Sequence, residues 1–379
     1  MRVVYFADSL PPSTDGVAHT FTQLVNTLHE EKLEYHFFSP FKPDSRYFWT
    51  DKVEQVFSVP LFLYSHYRIG LPAANRIYDQ LDAFNPDIVH VTSPTYLGQL
   101  GLKYGQKRGI PVVSSYHTHF VSYFKYYGFQ KFESIGWKIL KRFYNQFDCV
   151  YVPSLSTAQE LENHGFENIV LWQRGINLSS FSPDKRDTDL IRHYAPDSEP
   201  ILLFVGRLVQ EKDLDDLIGV NTILKSKKKK YKLIIVGDGP MRPQLEREIP
   251  DAIFTGWLHG NELSRIYASS DIFVFPSTTE TFGNVILEAY ASGLPVVGVN
   301  EGGVVDLVLD GHTGFIAESK NTDDIAEKVD RLLSYPELRL RYAINALNYA
   351  KTYNWDTINK QLISSYRKLV YQNAHQNTN

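Results

Sequence analysis

The strongest constraint on this chain is a pattern that runs through it twice: short, β-rich apolar runs separated by segments of helix length. In the first half the runs are "RVVYFAD", "EYHFFS", "DIVHVTS", "PVVSSYH", "CVYVPS" and "NIVLW", with amphipathic stretches at 16–30, 96–108 and 157–164. Runs that are apolar at nearly every position belong to strands buried on both faces, and the helices between them are what covers those faces. The prediction is α/β with a doubly wound parallel sheet. A polar stretch of weak periodicity, 179–200, reads as a linker. The pattern then restarts with "ILLFVG", "YKLIIVG", "AIFTG", "DIFVFPS" and "LPVVGV", and helices are expected at 213–225, 240–248, 261–268, 283–292 and 322–335. The expected domains are therefore 1–178 and 200–355, with 179–199 as the linker. Ligands of such sheets bind beyond the carboxyl ends of the strands, so two of them facing each other would make a cleft.

The length of 379 residues fits two domains, and 43% hydrophobic with 22% charged residues is the balance of a globular protein. A formal net charge of -4 argues against nucleic acid as a partner. The first apolar run stops at Asp8, too short for a signal-peptide core, and no window approaches the ~20 apolar residues of a membrane span. A cytoplasmic protein is expected. The single Cys149, within "DCVYVP", rules out an intrachain disulfide and reads as a core thiol. The sequon Asn177-Leu178-Ser179 carries little weight in a cytoplasmic chain, and "KSKKKKYK" (225–232) reads as a solvated loop.

The loops after strands hold the candidate chemistry. The first strand runs into "FADSLPPSTDGVAHTF", which lacks the G-x-G-x-x-G of a dinucleotide site. Gly16 stands where loop meets helix: the amides of Gly16 and Val17 could approach a phosphate, or the glycine could serve loop geometry alone. After the first strand of the second half, "FVGRLVQEKDLDDL" places Arg207 and Lys212 five residues apart. Two cations there suit a diphosphate; the alternative is a salt bridge with Glu211 or Asp213.

In "TTETFGNVILEAYASGLPVV" a helix beginning near Gly283 leaves Glu280 in the loop and puts Glu288 about a turn beyond Asn284. The free amides of Phe282, Gly283 and Asn284 would make an anion site with one carboxylate on either side, a layout that fits a nucleotide sugar. The bland alternative has Glu280 complementing the helix dipole and Glu288 on a solvated face. In "PVVSSYHTHF", His117 and His119 share a side, but no third metal ligand stands in comparable context. His117 is favoured as a residue that orients substrate over a hydrogen-bonded structural histidine. Asp187-Thr188-Asp189 lies in the linker with no strand before it, so no metal is expected there. Leaving-group charge would then fall to Arg207, Lys212 and helix amides. Residues 119–147 are crowded with aromatics and carry five cations against Glu133. They suit an anionic membrane surface or a lipid-linked acceptor, or else a packed helix with an ordinary basic face.

Taken together, Arg207-x4-Lys212, "GDGP" (237–240), Glu280-x7-Glu288, "SGLPVV" and "EGGVVDLVLDGHTGF" resemble the retaining glycosyltransferases of family 4, whose fold is GT-B. "SSYHTHF", "IVLWQRGINLSSFSP" and "FTGWLHGNELSRIYASSDIFVFPS" are similar to members acting on lipid or glycan acceptors, including mannosyltransferases and sulfoquinovosyl-diacylglycerol synthases. The resemblance implies that Arg207 and Lys212 hold the donor diphosphate, Glu280 the hexose and Glu288 the ribose. It further implies His117 near the anomeric carbon, the Phe282–Asn284 backbone and Gly16 along the sugar diphosphate, and the base at the loop around Leu258. The terminal helix, 356–379, would cross back onto the first domain. The N-terminal loop has one glycine where many members carry a pair.

The expected reaction is transfer of a hexosyl group, with retention, from a nucleoside-diphosphate sugar to a hydroxyl of a lipid or glycan acceptor, needing no metal cofactor. An epimerase or hydrolase of nucleotide sugars on the same fold, and a non-catalytic nucleotide-sugar-binding subunit, are the competing readings. GDP-mannose, UDP-glucose and UDP-sulfoquinovose all present the ribose diol and diphosphate that these residues would meet.

Overall fold

A computed structural model describes residues 1–13, 15–61, 64–117 and 132–376. It divides into two compact units: residues 1–117, 132–174 and 355 onward form the first, and 175–354 the second.

The first unit is built on a seven-stranded sheet whose strands pair in parallel. In chain order its strands are β1 (Arg2–Phe6), β2 (Glu34–Ser39), β3 (Val53–Gln55), β6 (Ile88–Val91), β7 (Val112–Ser115), β8 (Cys149–Val152) and β9 (Ile169–Leu171). A small antiparallel pair, β4 (Ser58–Leu61) and β5 (Tyr64–Gly70), stands apart from it. The spatial order is β3-β2-β1-β6-β7-β8-β9, so winding reverses between β1 and β6. The four central strands β1, β6, β7 and β8 are buried almost throughout, as their unbroken apolar runs require. Cys149 is buried there, and burial pushes its thiol up to about 12.

The terminal helix Trp355–Gln376 closes one face of this sheet. Ile358, Leu362, Ile363 and Tyr366 enter the same core as Val3, Tyr5 and Tyr151, each contributing about 1.5–3 kcal/mol of burial. Polar contacts fix its register: Trp172 Nε1 donates to Asn359 Oδ1 at 3.3 Å, and the Tyr151 hydroxyl meets Ser365 Oγ at 2.7 Å.

The second unit carries a six-stranded parallel sheet of β10 (Ile201–Val205), β11 (Lys232–Val236), β12 (Ile253–Gly256), β13 (Ile272–Phe275), β14 (Val296–Val299) and β15 (Gly314–Ala317). Its order is β12-β11-β10-β13-β14-β15, and winding reverses between β10 and β13. The loops that leave the carboxyl ends of those two neighbours are 206–213 and 276–283, the stretches that hold Arg207, Lys212 and Glu280. Each unit is thus built on its own parallel sheet, as the restarting pattern predicts.

Residues 179–199, read from their polarity as a linker, are a folded part of the second unit. They contain a turn of 3-10 helix at Pro183–Lys185 and the helix Thr188–Tyr194. Asp187 caps that helix, accepting from the amides of Asp189 (2.9 Å) and Leu190 (3.1 Å). Arg265 donates to the same carboxylate and holds it below the usual range, with the Leu190 amide adding to the effect. An Asp at the head of a short helix is a cap signal that the loop-like composition concealed.

Candidate active site

In the second unit, the loop after β10 ends in a 3-10 turn, Gln210–Lys212, and Asp213 takes a left-handed conformation (φ 51°) before the helix Leu214–Ser226. That turn is tied directly to the loop after β13. Asp213 Oδ2 accepts from the Thr278 amide at 3.0 Å and its hydroxyl at 2.7 Å, and Thr279 Oγ1 donates to the Glu211 carbonyl at 2.8 Å. The two loops are thereby held in register, and Lys212 forms an ion pair with Glu280. Both side chains are largely withdrawn from solvent, at 14% and 19% exposure, and the Lys212 ammonium lies 6.0 Å from the Phe275 ring centre. Lys212 thus pairs with Glu280 rather than with Glu211 or Asp213.

Arg207 approaches Glu211 at 3.5 Å. Glu211 is 1% exposed while Arg207 keeps 45% of its side chain in solvent, so the buried carboxylate anchors a guanidinium that still presents a face outward. The salt bridge and the ligand-facing reading of Arg207 are compatible.

The helix after Glu280 runs from Asn284 to Ala291, with Gly283 as its cap at φ 99°, a conformation that favours glycine. Among the described residues no acceptor takes the amides of Phe282, Gly283 or Asn284. The Phe282 side chain is buried, edge-on to Tyr353 at 6.2 Å, so only its backbone is available to a ligand. Glu288 lies one turn on, half-buried, its carboxyl beside the Tyr267 hydroxyl. Burial raises that carboxyl to about 7, with the Tyr267 hydroxyl opposing the rise. A solvated face for Glu288 is excluded.

A pair of glycines after β14 completes the loop packing. The Gly303 amide donates to the Glu280 carbonyl at 2.7 Å, and a Cβ on Gly303 would stand 2.6 Å from Phe282 Cα. Gly302 and Gly303 were not among the site residues expected from sequence. Two adjacent glycines following an apolar strand, in "VNEGGVV", are the signal that marks them. Leu258, in the loop after β12, packs half-buried against the core beside Trp257, which is 51% exposed.

In the first unit, Gly16 begins the helix Gly16–Glu30 and Asp15 caps it. The Asp15 carboxylate accepts from the amides of Val17 and Ala18, both at 2.9 Å. The expectation that the Val17 amide is open to a phosphate is therefore corrected: the cap already uses it, because Asp precedes the glycine. His117, just past β7, is also more committed than expected. Its Nε2 meets Ser115 Oγ at 2.7 Å and its Nδ1 receives a hydrogen bond from Arg174 Nη2 at 2.8 Å. Burial and the Arg174 charge hold the imidazole well below its ordinary value, so it is neutral. Both ring nitrogens of His117 are thus engaged by side chains of the first unit.

The structure thus gathers Arg207, Lys212, Glu280 and the Phe282–Asn284 amides at the winding reversal of the second sheet, with Glu288 one turn along. His117 and Gly16 belong to the first unit. His119 and most of the basic aromatic segment 119–147 lie outside the described residues; the helix Glu133–Tyr144 is its described part. Among the described residues no three His, Cys, Asp or Glu side chains cluster as metal ligands, and no helix is long and apolar enough to cross a membrane.

Comparison with known proteins decides the family. Residues 14–180 match Glycosyltransferase Family 4 and residues 185–349 match Glycosyl transferases group 1. A GDP-mannose-dependent alpha-mannosyltransferase of Mycobacterium tuberculosis is 31% identical over 97% of this chain and 96% of its own. The chain belongs to glycosyltransferase family 4. The enzyme is also similar to a sulfoquinovosyl transferase of Arabidopsis thaliana, 31% identical over 93% of this chain and 71% of that one. Among solved structures, sucrose-phosphate synthase from Thermosynechococcus elongatus superimposes with a TM-score of 0.76 at 20% identity, covering 98% of this chain and 99% of that one. HepE of Anabaena in complex with UDP-glucose gives 0.77 at 18% identity, covering 97% and 100%. These likenesses establish the GT-B fold of the glycosyltransferase.

Proposed function

We propose that this glycosyltransferase moves a hexosyl group from a nucleoside-diphosphate sugar to a hydroxyl of a lipid or glycan acceptor, with retention at the anomeric carbon. The observation that carries the reading is the Lys212–Glu280 pair beside the unpaired amides of Phe282–Asn284, at the winding reversal of the second sheet. That arrangement sets positive charge and N–H donors next to a carboxylate. A sugar diphosphate needs both within one ligand's length.

In this reading Lys212, Arg207 and the amides receive the diphosphate, and Glu280 accepts from the sugar hydroxyls. Glu288 accepts from the ribose diol, and the loop around Leu258 and Trp257 covers the base. His117 and Gly16 are the first unit's candidates for the sugar and the phosphate. The acceptor oxygen forms its bond to the anomeric carbon as the bond to the diphosphate oxygen breaks on the same face. The acceptor proton passes to the departing phosphate oxygen, so positioning and electrostatics carry the rate and no carboxylate base is required. The mannosyl and sulfoquinovosyl relatives support a hexose donor, and the mannosyl relative uses one that is GDP-linked.

The acceptor reading draws on the helix Glu133–Tyr144. Its buried side holds Trp137, Leu140, Phe143 and Tyr144, while Ile135 (50% exposed) and Ile139 (62%) form a stripe with Lys138 and Arg142. Apolar and cationic residues on one open face suit the surface of an anionic membrane, where a lipid acceptor would lie.

A panel of GDP-mannose, UDP-glucose and UDP-sulfoquinovose, scored by thermal shift and by nucleotide release with and without acceptor lipid, tests the reading. Acceptor-dependent release with one donor is expected. Rapid hydrolysis without acceptor, or no shift with any donor, would overturn it. Vesicle co-sedimentation with and without anionic lipid tests the surface, and an equal lack of binding to both refutes that part.

A further inference from the structure

Arg174 is 5% exposed, and its guanidinium lies 4.8 Å over the Trp172 ring. Its Nη1 donates to the carbonyls of Trp172 (2.7 Å) and Gln173 (3.3 Å), and its Nη2 to His117 Nδ1. Among the described residues no carboxylate pairs with it, and 118–131 contains neither Asp nor Glu. An arginine so deeply placed, spending its hydrogens on carbonyls and one imidazole nitrogen, is built to orient something.

Guanidinium can only donate, so His117 Nδ1 must accept. The ring hydrogen is then on Nε2, where Ser115 Oγ stands 2.7 Å away as acceptor. The Ser115 hydroxyl in turn has His90 Nε2 at 2.9 Å to receive its hydrogen, which leaves the His90 hydrogen on Nδ1, 2.5 Å from the Tyr366 hydroxyl. One donor at one end thus sets the sense of a buried chain from Arg174 through His117, Ser115 and His90 to the terminal helix. We infer that Arg174 is a positioning residue for the transferase: it fixes His117 as the neutral tautomer with its hydrogen on Nε2. The role of His117 toward a sugar rests on the reading proposed above; its tautomer does not.

Protonating His117 would place a hydrogen on Nδ1 against the guanidinium. Among the described residues Arg174 and His90 are charged or titratable groups that act on the ring, and both oppose the imidazolium. Phe21 (5.6 Å) and Trp172 (5.8 Å) bring only ring edges, while Tyr366 lies beyond His90. A ligand oxygen reaching this ring competes with Ser115 Oγ for the hydrogen of a neutral imidazole and does not meet a cation.

The test uses the full chain labelled with nitrogen-15 histidine, with the His117 signals assigned by their loss in His117→Asn. Long-range proton–nitrogen correlation should show hydrogen on Nε2 and no titration between about pH 5 and 8. In Arg174→Met the tautomers should mix, and the titration of the ring should move up toward its ordinary value while burial still holds it lower. Transfer by that variant should fall at least about tenfold in kcat and acquire a changed pH profile, with donor KM unchanged. Arg174→Lys, which keeps a donor, should restore the tautomer and most of kcat. An Nδ1–H tautomer in the parent, or an Arg174→Met variant with unaltered tautomer and pH profile, would overturn the inference. If Arg174→Met does not fold, Ser115→Ala decides: it leaves the Arg174 bond and must keep hydrogen on Nε2, and a switch to Nδ1 refutes the assignment. The spectra need no donor, so failure of the proposed transferase reading is separately visible.

Discussion

Lys212 and Glu280 are 68 residues apart in sequence and joined by an ion pair at the carboxyl edge of the second sheet. The pairing is enforced from below by Asp213 and Thr279, whose hydrogen bonds clamp one loop to the other. Each charge therefore holds the other where the proposed ligand would bind.

Lys212→Ala and Glu280→Ala should each lower transfer on the order of 10²–10³-fold, since each removes a group aimed at developing charge or at the sugar. Each also strands its partner in a poorly solvated place, at a cost of about 1–3 kcal/mol. The double variant should be less destabilised than the sum of the singles while remaining inactive. Urea unfolding with a double-mutant cycle measures the coupling, and nucleotide release measures the loss. Two single variants with near-normal turnover would remove both residues from the site.

Glu288 makes a pH-dependent prediction. Burial raises its carboxyl from 4.5 to about 7, so the folded chain binds a proton there that the unfolded chain has released. For such an acid, stability falls as pH rises from about 4.5, and the loss is complete above about 7. Glu288→Gln cannot ionise and should gain in melting temperature over the parent as pH is raised from 5 to 8. At the same time it should bind donor more weakly, having lost a carboxylate that accepts from vicinal hydroxyls. Parallel melting curves at pH 5 and pH 8 would mean that the carboxyl is not held in this way.

Much of this architecture could be read from the chain because strands buried on both faces leave unbroken apolar runs. Arg207, Lys212 and Glu280 are legible as candidates because they follow such runs, and sheet winding brings the two loops together. What local sequence does not carry is the partner of each side chain. Arg174, 57 residues from His117, makes that histidine one link of a buried chain. Asp15 consumes the Val17 amide, and Asp187 is a helix cap in a stretch whose composition resembles a linker. Each depended on hydrogen-bond geometry that spacing alone does not encode. Gly302 and Gly303 were visible as a motif, but their purpose appears only when a third loop is packed against Phe282.

The Asp15 cap carries more than an ordinary helix start. Besides two amides, its carboxylate accepts from Ser9 Oγ at 2.5 Å and Ser13 Oγ at 2.7 Å, which folds the preceding loop back onto the helix. Asp15→Ala should cost about 0.5–2 kcal/mol of stability, with Asp15→Asn between it and the parent. Denaturant unfolding gives the number, and no change in midpoint for Asp15→Ala would show that the loop is held by other contacts.

Gly303 separates the effect of a close approach from the effect of backbone conformation. Its φ is -65°, open to any residue, yet a Cβ there would lie 2.6 Å from Phe282 Cα and 2.7 Å from the Phe282 nitrogen and oxygen. All three are backbone atoms, so the loop bearing Glu280 and the helix-start amides must move to admit a methyl group. Gly302 combines both problems: φ is 60°, and a Cβ would meet the Glu280 carbonyl oxygen at 2.6 Å. Gly303→Ala should therefore cost about 1–3 kcal/mol, and Gly302→Ala should cost more, because a left-handed conformation adds its own penalty of about 1–2 kcal/mol. In both, donor affinity should fall at least about tenfold even at temperatures where the variant is fully folded, since a shift on the order of 1 Å misplaces the amides. Donor titration by calorimetry beside thermal melts distinguishes the outcomes: a stability loss with donor affinity intact would show that the glycine pair supports the fold without shaping the site.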